Sequence, residues 1–347
     1  MTPKLAYFAP WLKGTAAGIL QAHPDLTLHQ LHFRHGSDHN YALLQPMHGY
    51  QVMPRTELDP AYLVDAELLK RMPALLAVSS TGAGYDMIDV DACTHAGIIV
   101  CNQSGSNKEA VAEHAFGMML GIAKKIVSVN AAMHTEDRVL RDNFVGTELA
   151  GKSLGIVGIG EIGTRVAELG NAFHMNVSAY DPYVSDSDVH ARGARKVDWQ
   201  TLWSTSDYVT VHCPRNDETL GMIDMGAFSL MKRSGAYITT ARGGIHDEKA
   251  LKKALDDNLI AAAGLDVWDV EPTPLDNPLL TCPNVIASPH SAGITVEAMQ
   301  NMETWAAQQW IDIFAGKLPP RLINPDAWDH FAQRFERILG HRPAAIG

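Results

Sequence analysis

Short apolar runs alternate with longer amphipathic stretches along this chain of 347 residues. In the first hundred residues, apolar runs predict strands over residues 5–8, 75–79 and 98–101, a weak alternation predicts one over residues 27–31, and residues 63–71 predict a helix. Continuous apolar runs are typical of strands that are buried on both faces of a parallel sheet. We therefore expect an α/β unit at the beginning of the chain.

A stripe of apolar residues at spacings of three and four predicts a long helix over residues 109–127. The stripe consists of Val111, Ala115, Met118, Ile122 and Ile126. On the same helix, His114 is interpreted as a structural histidine. Residues 131–150 are polar and irregular, and we expect an arm or linker there.

Further apolar runs beyond residue 150 predict a second series of strands and helices. The runs are residues 154–157, 176–180, 208–212, 236–240, 262–267 and 285–288. Asp247 is placed to cap a helix over residues 248–257, and Thr295 is placed to cap a last long helix. That helix carries Met302, Ala306, Trp310 and Ile313 on one face, and we expect it to return to the first unit.

The run at residues 154–157 ends in the glycine-rich sequence Gly158-Ile159-Gly160-Glu161-Ile162-Gly163, and an amphipathic stretch follows. Gly158 permits a tight turn, Gly160 lets a pyrophosphate approach the backbone, and Gly163 lets the helix pack on the strand. The helix N-terminus would offer free N–H groups and a positive dipole end to the phosphates. The alternative is an ordinary glycine turn. We expect Gly158, Gly160, Glu161, Ile162 and Gly163 to contact a dinucleotide.

The next predicted strand ends in Asp181, at about the 20-residue separation that ribose recognition requires. A carboxylate there would accept hydrogen bonds from the ribose hydroxyls of NAD and would repel the 2′-phosphate of NADP. The alternative is a loop acid before Pro182. NAD is favoured, and Arg192 and Arg195 further on leave NADP open.

Composition narrows the classes of function. The formal net charge is −11, the sequence pI is about 5.8 and there is no basic block, so nucleic acid and anionic membranes are poor partners. The four cysteines, Cys93, Cys101, Cys213 and Cys282, lack paired metal spacing, which suits a reduced cytoplasmic protein. No signal-peptide pattern and no apolar run of about 20 residues occurs, so we expect no membrane span. The length suggests about two domains.

Three polar side chains follow the carboxyl ends of successive predicted strands: Arg242, Glu271 and His290. Open parallel sheets bind ligands at that edge. An arginine can anchor a carboxylate through two parallel N–H bonds, and a histidine with a pKa of about 7 can protonate a carbonyl oxygen. A neighbouring glutamate can orient that histidine and hold it charged. Each residue alone could belong to an ordinary loop, but together they predict hydride transfer between a nicotinamide and a 2-oxo acid.

These segments, in this order, resemble the D-isomer-specific 2-hydroxyacid dehydrogenases over nearly the whole chain. Besides the glycine turn, the resemblance is carried by residues 82–89 (GAGYDMID), 109–114 (EAVAEH), 240–244 (TARGG), 264–272 (GLDVWDVEP) and 288–293 (SPHSAG). It implies an α/β protein of two doubly wound parallel-sheet domains. A Rossmann NAD-binding domain at residues 107–301 would be inserted into a flavodoxin-like substrate domain formed by residues 1–106 and 302–347.

The resemblance also implies roles for single residues. Arg242 would anchor the substrate carboxylate, His290 would be the acid/base and Glu271 its partner. The amides of Ala83 and Gly84 would contact the same carboxylate, in a turn that is otherwise a plain strand–helix connection. The expected cofactor contacts outside the glycine turn are Asp181, Cys213, Pro214, Thr219, Ala241, Asp266, His290 and Gly293. The resemblance further implies NAD as cofactor, a small 2-hydroxy or 2-oxo acid such as glyoxylate or hydroxypyruvate as substrate, and a homodimer.

Three segments depart from the family pattern. Residues 29–53 carry His29, His32, His35, His39 and His48, and we expect an exposed loop there rather than a metal site. Arg55 follows where family members contact the substrate side chain, so it could bind a second anionic group or be a surface arginine. The tail from residue 329 carries Phe331, Phe335 and Ile338, which predict a helix that docks on the first domain.

Two other functions stay open at this point. Residues 89–94 resemble phosphite dehydrogenase, although that enzyme has lysine where this chain has Ala83, and formate enzymes have glutamine in place of Glu271. The other alternative is a corepressor-like protein of the same fold that senses NAD(H). Against it, the chain shows no basic surface and no disordered interaction tail.

Overall fold

The computed structural model describes residues 2–9, 11 and 14–343, and the chain divides into two compact units. Unit 1 consists of Met1–Asn107 and Val296–Gly347, and unit 2 of Lys108–Thr295. The second boundary lies where the last long helix begins, whereas the sequence analysis places it after residue 301, inside that helix. The whole helix belongs to unit 1 because its buried side chains pack there.

In the described part of unit 1, five strands form a parallel sheet in the order β2-β1-β3-β4-β5. Numbered along the chain, they are β1 (Lys4–Phe8), β2 (Thr27–Leu31), β3 (Gly49–Val52), β4 (Ala77–Ser80) and β5 (Ile99–Cys101). The order reverses at β1, which gives the doubly wound, flavodoxin-like arrangement expected from the sequence. Strand β3 was not predicted, because Gly49 and Gln51 interrupt its apolar run.

Helices cover both faces of this sheet. They are α1 (Gly14–Gln21), α2 (Ser37–Leu44), α3 (Ala66–Arg71), α4 (Val90–His95), α12 (Val296–Phe314) and α13 (Trp328–Leu339). One face is buried by α1, α12 and α13, whose side chains Trp310, Phe331 and Phe335 are fully buried in one cluster with strand residues such as Leu5. The predicted docking of a C-terminal helix on the first domain is thereby confirmed.

The expected exposed loop over residues 29–53 is wrong. This segment contains the end of β2, a 3₁₀ turn at Phe33–His35, helix α2 and strand β3. It is ordered because Leu31, Leu44 and Tyr50 are fully buried in the unit 1 core. Because most residues of the segment are polar, the sequence did not indicate that these three side chains are buried.

In the described residues of unit 2, seven strands form a parallel sheet in the order β12-β11-β10-β9-β6-β7-β8. They are β6 (Ser153–Val157), β7 (Asn176–Tyr180), β8 (Arg195–Lys196), β9 (Tyr208–Val211), β10 (Ala236–Thr239), β11 (Ala262–Leu265) and β12 (Val285–Ala287). The direction of winding reverses between β6 and β9, as in a Rossmann domain. Ligands bind at such a switch point, beyond the carboxyl ends of the strands.

The helices of unit 2 are α5 (Lys108–Ala123), α6 (Ile126–Thr135), α7 (Glu161–Ala172), α8 (Asp186–Ala191), α9 (Trp199–Thr205), α10 (Met225–Leu230) and α11 (Glu248–Asp256). The predicted cap of α11 is confirmed, because the carboxylate of Asp247 accepts from the N–H groups of Lys249 and Ala250. Within the part of the chain that the structure describes, no single helix is long and apolar enough to cross a membrane. The bent pair of α5 and α6 meets the length and composition criteria together.

The single helix predicted over residues 109–127 is wrong at its end. Lys125 adopts the left-handed conformation with φ of 55°, and a new helix, α6, begins at Ile126. The terminal carbonyl of Ala123 accepts from the N–H of Thr147, so a distant segment completes the end of α5. The predicted irregular arm is also wrong over its first residues, since α6 continues to Thr135.

Candidate active site

The glycine turn between β6 and α7 has the geometry that a pyrophosphate requires. Gly158 has φ of 85°, and a Cβ there would lie 2.8 Å from the backbone nitrogen of Cys213. A Cβ on Gly163 would lie 2.2 Å from the carbonyl oxygen of Gly158, so only glycine allows α7 to approach the turn this closely. At Gly160, by contrast, a Cβ would meet nothing within 4 Å. The backbone is therefore open on the side from which a ligand approaches.

The amino end of α7 is ready to bind an anion. Gly160 at the N-cap provides no side-chain cap, and in the described residues the amides of Gly160, Glu161 and Ile162 have no hydrogen-bond acceptor. The carboxylate of Glu161 is held by the Lys108 ammonium at 3.1 Å. Unpaired N–H groups at the positive end of the helix dipole fit the phosphates of a dinucleotide.

Asp181 lies directly beyond β7, beside the glycine turn. Its Oδ2 accepts from the N–H of Ile159 at 3.1 Å, and its Oδ1 accepts from the N–H of Tyr183 at 3.0 Å. These bonds fix the carboxylate where a ribose would lie. The Arg192 guanidinium reaches the same turn and donates to the carbonyl of Ile159 at 2.6 Å. Arg192 is thus committed to the backbone of the turn.

Arg242, Glu271 and His290 follow β10, β11 and β12, which are neighbours in the sheet. The structure brings His290 and Glu271 into contact, with 2.7 Å between Nδ1 of the imidazole and Oε2 of the carboxylate. The other oxygen of Glu271 accepts from the N–H of Trp268 at 3.0 Å. Both carboxylate oxygens therefore have a partner, and the side chain is fixed. The contact with Glu271 does not involve Nε2 of His290.

Glu271 is ionised because its neighbours outweigh its burial. Burial alone would raise the pKa of Glu271, but the hydrogen bond and the charge of His290 bring that pKa below its ordinary value. The N–H of Trp268 and the positive charge of Arg242 lower the pKa further. His290 and Arg242 thus both act electrostatically on Glu271.

His290 has a backbone conformation that is uncommon outside glycine. Its φ is 57°, and its N–H donates to the carbonyl of Asp266 at 2.7 Å. Left-handed conformations in other residues cluster at functional sites, where the surrounding structure enforces them. Here the backbone of His290 is bonded to Asp266 and its ring contacts Glu271, so the residue is held at two points.

The turn that carries Arg242 is locked to the loop that carries Glu271. A Cβ on Gly243 would lie 1.9 Å from the carbonyl oxygen of Trp268, so the two backbones touch. The N–H of Gly244 donates to the Asp269 carboxylate at 2.8 Å. Arg242 itself donates to the carbonyl of Ala241 at 2.7 Å. This close approach leaves no room for a side chain at Gly243, and Gly244 adopts a φ of 80° that favours glycine.

Asp266 is fully buried and is held by several donors. Its oxygens accept from the hydroxyl of Ser288 at 2.5 Å and from the N–H groups of Ser291 at 2.8 Å and Ala292 at 2.9 Å. His114 on α5 contacts the Ser288 hydroxyl at 2.9 Å. The sequence analysis missed that His114 belongs to this network. Nothing in its helical spacing distinguishes it, although the motif that it ends, EAVAEH, was among those noted.

The adenine-side candidates lie beyond β9. Cys213 packs against Gly158, as described above, and Thr219 closes the following turn by donating its hydroxyl to the carbonyl of Pro214 at 2.7 Å. Between β9 and β10, His212 contacts the hydroxyl of Thr210 at 2.9 Å. Burial lowers the pKa of His212 to about 3, so this ring is neutral. Contacts of Cys213, Pro214, Thr219, Ala241 and Gly293 with a cofactor stay predictions.

In unit 1, the turn after β4 contains Ala83 and Gly84. Among the described residues neither amide has an acceptor, while the carbonyl of Ala83 accepts from the Asn102 amide at 2.8 Å. Arg55 donates to the carbonyl of Asp86 at 2.9 Å. The substrate contacts of Ala83, Gly84 and Arg55 remain predictions.

The histidine-rich segment contains a row of rings. His32 and His35 meet edge to face with centroids 4.9 Å apart, as do His35 and His39 at 5.0 Å. Within the ranges that the structure covers, no group of three or more potential ligands could hold a metal ion. His48 is buried, and its Nδ1 accepts from the N–H of Lys4 at 3.0 Å.

Comparison with known proteins identifies the family of the chain. Residues 116–292 match the family described as D-isomer specific 2-hydroxyacid dehydrogenase, NAD binding domain. A D-3-phosphoglycerate dehydrogenase of Archaeoglobus fulgidus is 42% identical over 258 residues, which are 74% of this chain and 49% of that protein. The chain thus spans about half the length of the curated relatives of this kind.

Two further matches cover a larger share of the matched protein. A glyoxylate reductase of Korarchaeum cryptofilum is 35% identical over 273 residues, 76% of this chain and 80% of that protein. The structure of D-lactate dehydrogenase from Aquifex aeolicus complexed with NAD and lactic acid matches with a TM-score of 0.78 and 27% identity. That match covers 90% of this chain and 96% of the other.

The chain belongs to the D-isomer-specific 2-hydroxyacid dehydrogenase family, and residues 116–292 are the NAD-binding domain of that family. The family and the two-sheet α/β fold expected from the sequence are confirmed, and so is a nicotinamide dinucleotide as cofactor.

Proposed function

We propose that this protein is an NAD-dependent oxidoreductase that interconverts a small D-2-hydroxy acid and the corresponding 2-oxo acid. The observation that carries the proposal is the 2.7 Å contact between His290 and Glu271, with the charge of Arg242 acting on the same carboxylate. An acid/base, its orienting partner and a carboxylate anchor are the groups that this reaction requires of a protein. Bound NAD supplies the chemistry that they lack, because it accepts or donates the hydride.

Three side chains of unit 2 have different roles in this reaction. The Arg242 guanidinium holds the substrate carboxylate by charge-assisted hydrogen bonds and so fixes the direction of the 2-oxo group. Nε2 of His290 donates a proton to the carbonyl oxygen during reduction and removes it from the hydroxyl during oxidation. Glu271 keeps the Nδ1 proton in place through its own bond and compensates the charge of the imidazolium.

The substrate class follows from these groups and from the relatives. A single carboxylate anchor suits a short 2-oxo acid, and one relative is named as a glyoxylate reductase. Other relatives are named as D-3-phosphoglycerate dehydrogenases, so a phosphorylated substrate is the second candidate. If Arg55 binds a second anionic group, the phosphorylated 2-oxo acid will be the better substrate.

The test combines a substrate panel with His290→Ala. We expect NADH oxidation with one or more of glyoxylate, hydroxypyruvate and 3-phosphohydroxypyruvate, and a loss of about 10²–10⁴ in turnover in the variant with NADH affinity retained. The exposed His23 supplies the control His23→Ala. A variant rate close to that of the wild type would remove His290 from this role. NADH binding without turnover across the panel would favour an NAD(H)-sensing protein, and NADH production from phosphite would favour a phosphite dehydrogenase.

Asp181 is the residue that favours NAD over NADP. A carboxylate held beside the turn repels a 2′-phosphate, so Asp181→Ala should improve the ratio of kcat/KM for NADPH to that for NADH. An unchanged ratio would contradict this assignment.

We also propose a homodimer, with a second copy bound at residues 126–145. This arm exposes an unusual set of large apolar side chains: Ile126, Val127, Met133, Leu140 and Val145. Large apolar side chains that are exposed within one segment are typical of subunit interfaces. Light scattering should give a dimer for the wild type and a monomer for Val127→Asp combined with Met133→Asp. A monomeric wild type would contradict the proposal.

The four cysteines are free thiols, two of them fully buried, in keeping with a reducing compartment. We propose the cytoplasm as the site of action on that ground.

A further inference from the structure

A recess of about 180 Å³ lies on the surface of unit 1, between the end of α4 and the exposed side of α13. Both elements belong to unit 1, so the recess is separate from the glycine turn and from His290, which are in unit 2. Its wall on the α4 side is formed by His95 and Gly97. Its wall on the α13 side is formed by His330, Gln333, Arg334 and Arg337.

The spacing along α13 explains how these side chains converge. Positions 330, 333, 334 and 337 follow the three- and four-residue spacing of one helical face. The adjacent face carries Phe331 and Phe335, which are fully buried and anchor the helix on the sheet. Gly97 has φ of 66°, and a Cβ there would lie 3.0 Å from the Cβ of His330. The missing side chain therefore lets the two walls come close together.

The guanidinium of Arg334 is fixed in position. Nε donates to the carbonyl of Leu75 at 2.7 Å, and Nη2 donates to the carbonyl of Pro73 at 2.5 Å. Its remaining N–H donors are not used by these bonds. Such anchoring is typical of an arginine that presents a pre-organised donor to a ligand.

The charges in the recess are all of one sign. Burial and then the neighbouring charge of Arg337 lower the pKa of Arg334, which shows that the two guanidiniums repel each other. In the described part of the chain, neither arginine has a carboxylate within ion-pair distance, whereas the adjacent Glu336 pairs with Arg342 at 3.1 Å. The His95 ring contacts a backbone carbonyl, that of Asp91, and not its carboxylate. In a chain of net charge −11, such an uncompensated cluster is unexpected.

We propose that this recess, with Arg334 and Arg337 as main donors and His95 and His330 beside them, binds a small anion through a phosphate group. Donors converge from two elements, which suits the several oxygens of a tetrahedral anion better than the two coplanar oxygens of a carboxylate. The volume admits a phosphate with a few further atoms, which is the size of a phosphorylated metabolite.

Titration calorimetry with inorganic phosphate tests the proposal on the full-length protein saturated with NADH. Saturation fills the glycine turn, so that phosphate does not bind there, and chloride keeps the ionic strength constant. We expect saturable binding by the wild type and a Kd at least about 10-fold higher in Arg337→Glu, because a charge-assisted contact is replaced by repulsion. The control is Arg233→Glu, an exposed arginine of unit 2, which should leave the Kd unchanged.

Several outcomes would overturn the proposal. One is an equal affinity for phosphate in Arg337→Glu and the wild type. Another is an equal loss of phosphate affinity in the control Arg233→Glu. A third is binding of citrate in place of phosphate. Because Arg337 is exposed, the variant should unfold at the wild-type temperature in the absence of phosphate. If it does not fold, His330→Glu is the second variant, and the same rise in Kd is expected.

Discussion

At the scale of single residues, the ionisation of Glu271 is decided by its partners. The carboxylate is largely buried, which opposes ionisation, yet its two hydrogen-bonded contacts and the charge of His290 favour it. The sequence placed Glu271 at the right edge of the sheet, because position after a buried strand is readable from an apolar run. The sequence did not indicate that the N–H of Trp268 bonds to Glu271, because every residue except proline has a backbone N–H donor.

The substitution Glu271→Gln should make the thermal stability depend less on pH in the acid range. Because the folded-state pKa of Glu271 lies below its unfolded value, the ionised carboxylate stabilises the fold at neutral pH, and this contribution is lost as pH falls through the lowered pKa. The melting temperature of the variant should be lower than that of the wild type at pH 7, and the gap should close below about pH 4.

Thermal unfolding across that pH range measures the gap. Glu113→Gln, at an exposed position of α5, is the matched control and should show no gap at any pH. A gap in Glu271→Gln that stays constant down to the lowest pH would mean that the ionisation of Glu271 does not contribute to stability.

At the scale of elements, strands were more predictable than helix ends. Strands β2 and β7 have the predicted bounds, although the residues of β2 alternate only weakly and the strand is only partly buried. The end of α5 was not predictable, since it depends on Thr147, which is distant in sequence. Ile126 keeps the helical spacing, and spacing alone therefore extended the helix too far.

The glycine turn offers a pair of substitutions with different outcomes. Gly160→Ala places a methyl group in open space, so we expect unchanged thermal stability and a large loss of NADH affinity. Gly163→Ala forces a methyl group toward the carbonyl of Gly158, so both stability and NADH affinity should fall, the former by about 1–3 kcal/mol. Denaturant unfolding and fluorescence titration with NADH measure the two quantities. A loss of stability in Gly160→Ala, or unchanged NADH affinity there, would contradict the assignment of the open side.

At the scale of the whole molecule, the pattern of apolar runs predicted parallel-sheet units, and the family resemblance supplied the arrangement in two domains. Strands β3 and β8 were not predicted. The acid sensitivity of the molecule was not predictable, because it depends on which histidines are buried. Burial lowers the pKa of His246 and of His48 to about 4 and that of His212 to about 3. His246 is 1% exposed, and neither ring nitrogen has a partner in the described structure.

His246→Leu should therefore be less sensitive to acid than the wild type. A histidine whose pKa is lowered by folding takes up its proton only on unfolding, so it stabilises the fold above pH 6.5 and loses this effect as pH falls toward 4. Between pH 7 and 5 the wild type should lose about 2 kcal/mol more of its unfolding free energy than the variant. Urea unfolding at the two pH values measures this difference, and the exposed His23→Leu is the control. Equal losses in wild type and His246→Leu would contradict the neutral, buried state of the ring.

Unit 1 is assembled from both ends of the chain, and this has a consequence for synthesis. Its five-stranded sheet is complete by Cys101, but α12 and α13, which bury one face of it, come after unit 2. On a ribosome, unit 2 therefore has all its residues while Leu5 and Ile99 still lack Trp310 and Phe335 as neighbours. During this interval the nascent N-terminal segment would expose the apolar face of its sheet. We therefore expect a chaperone to bind this segment.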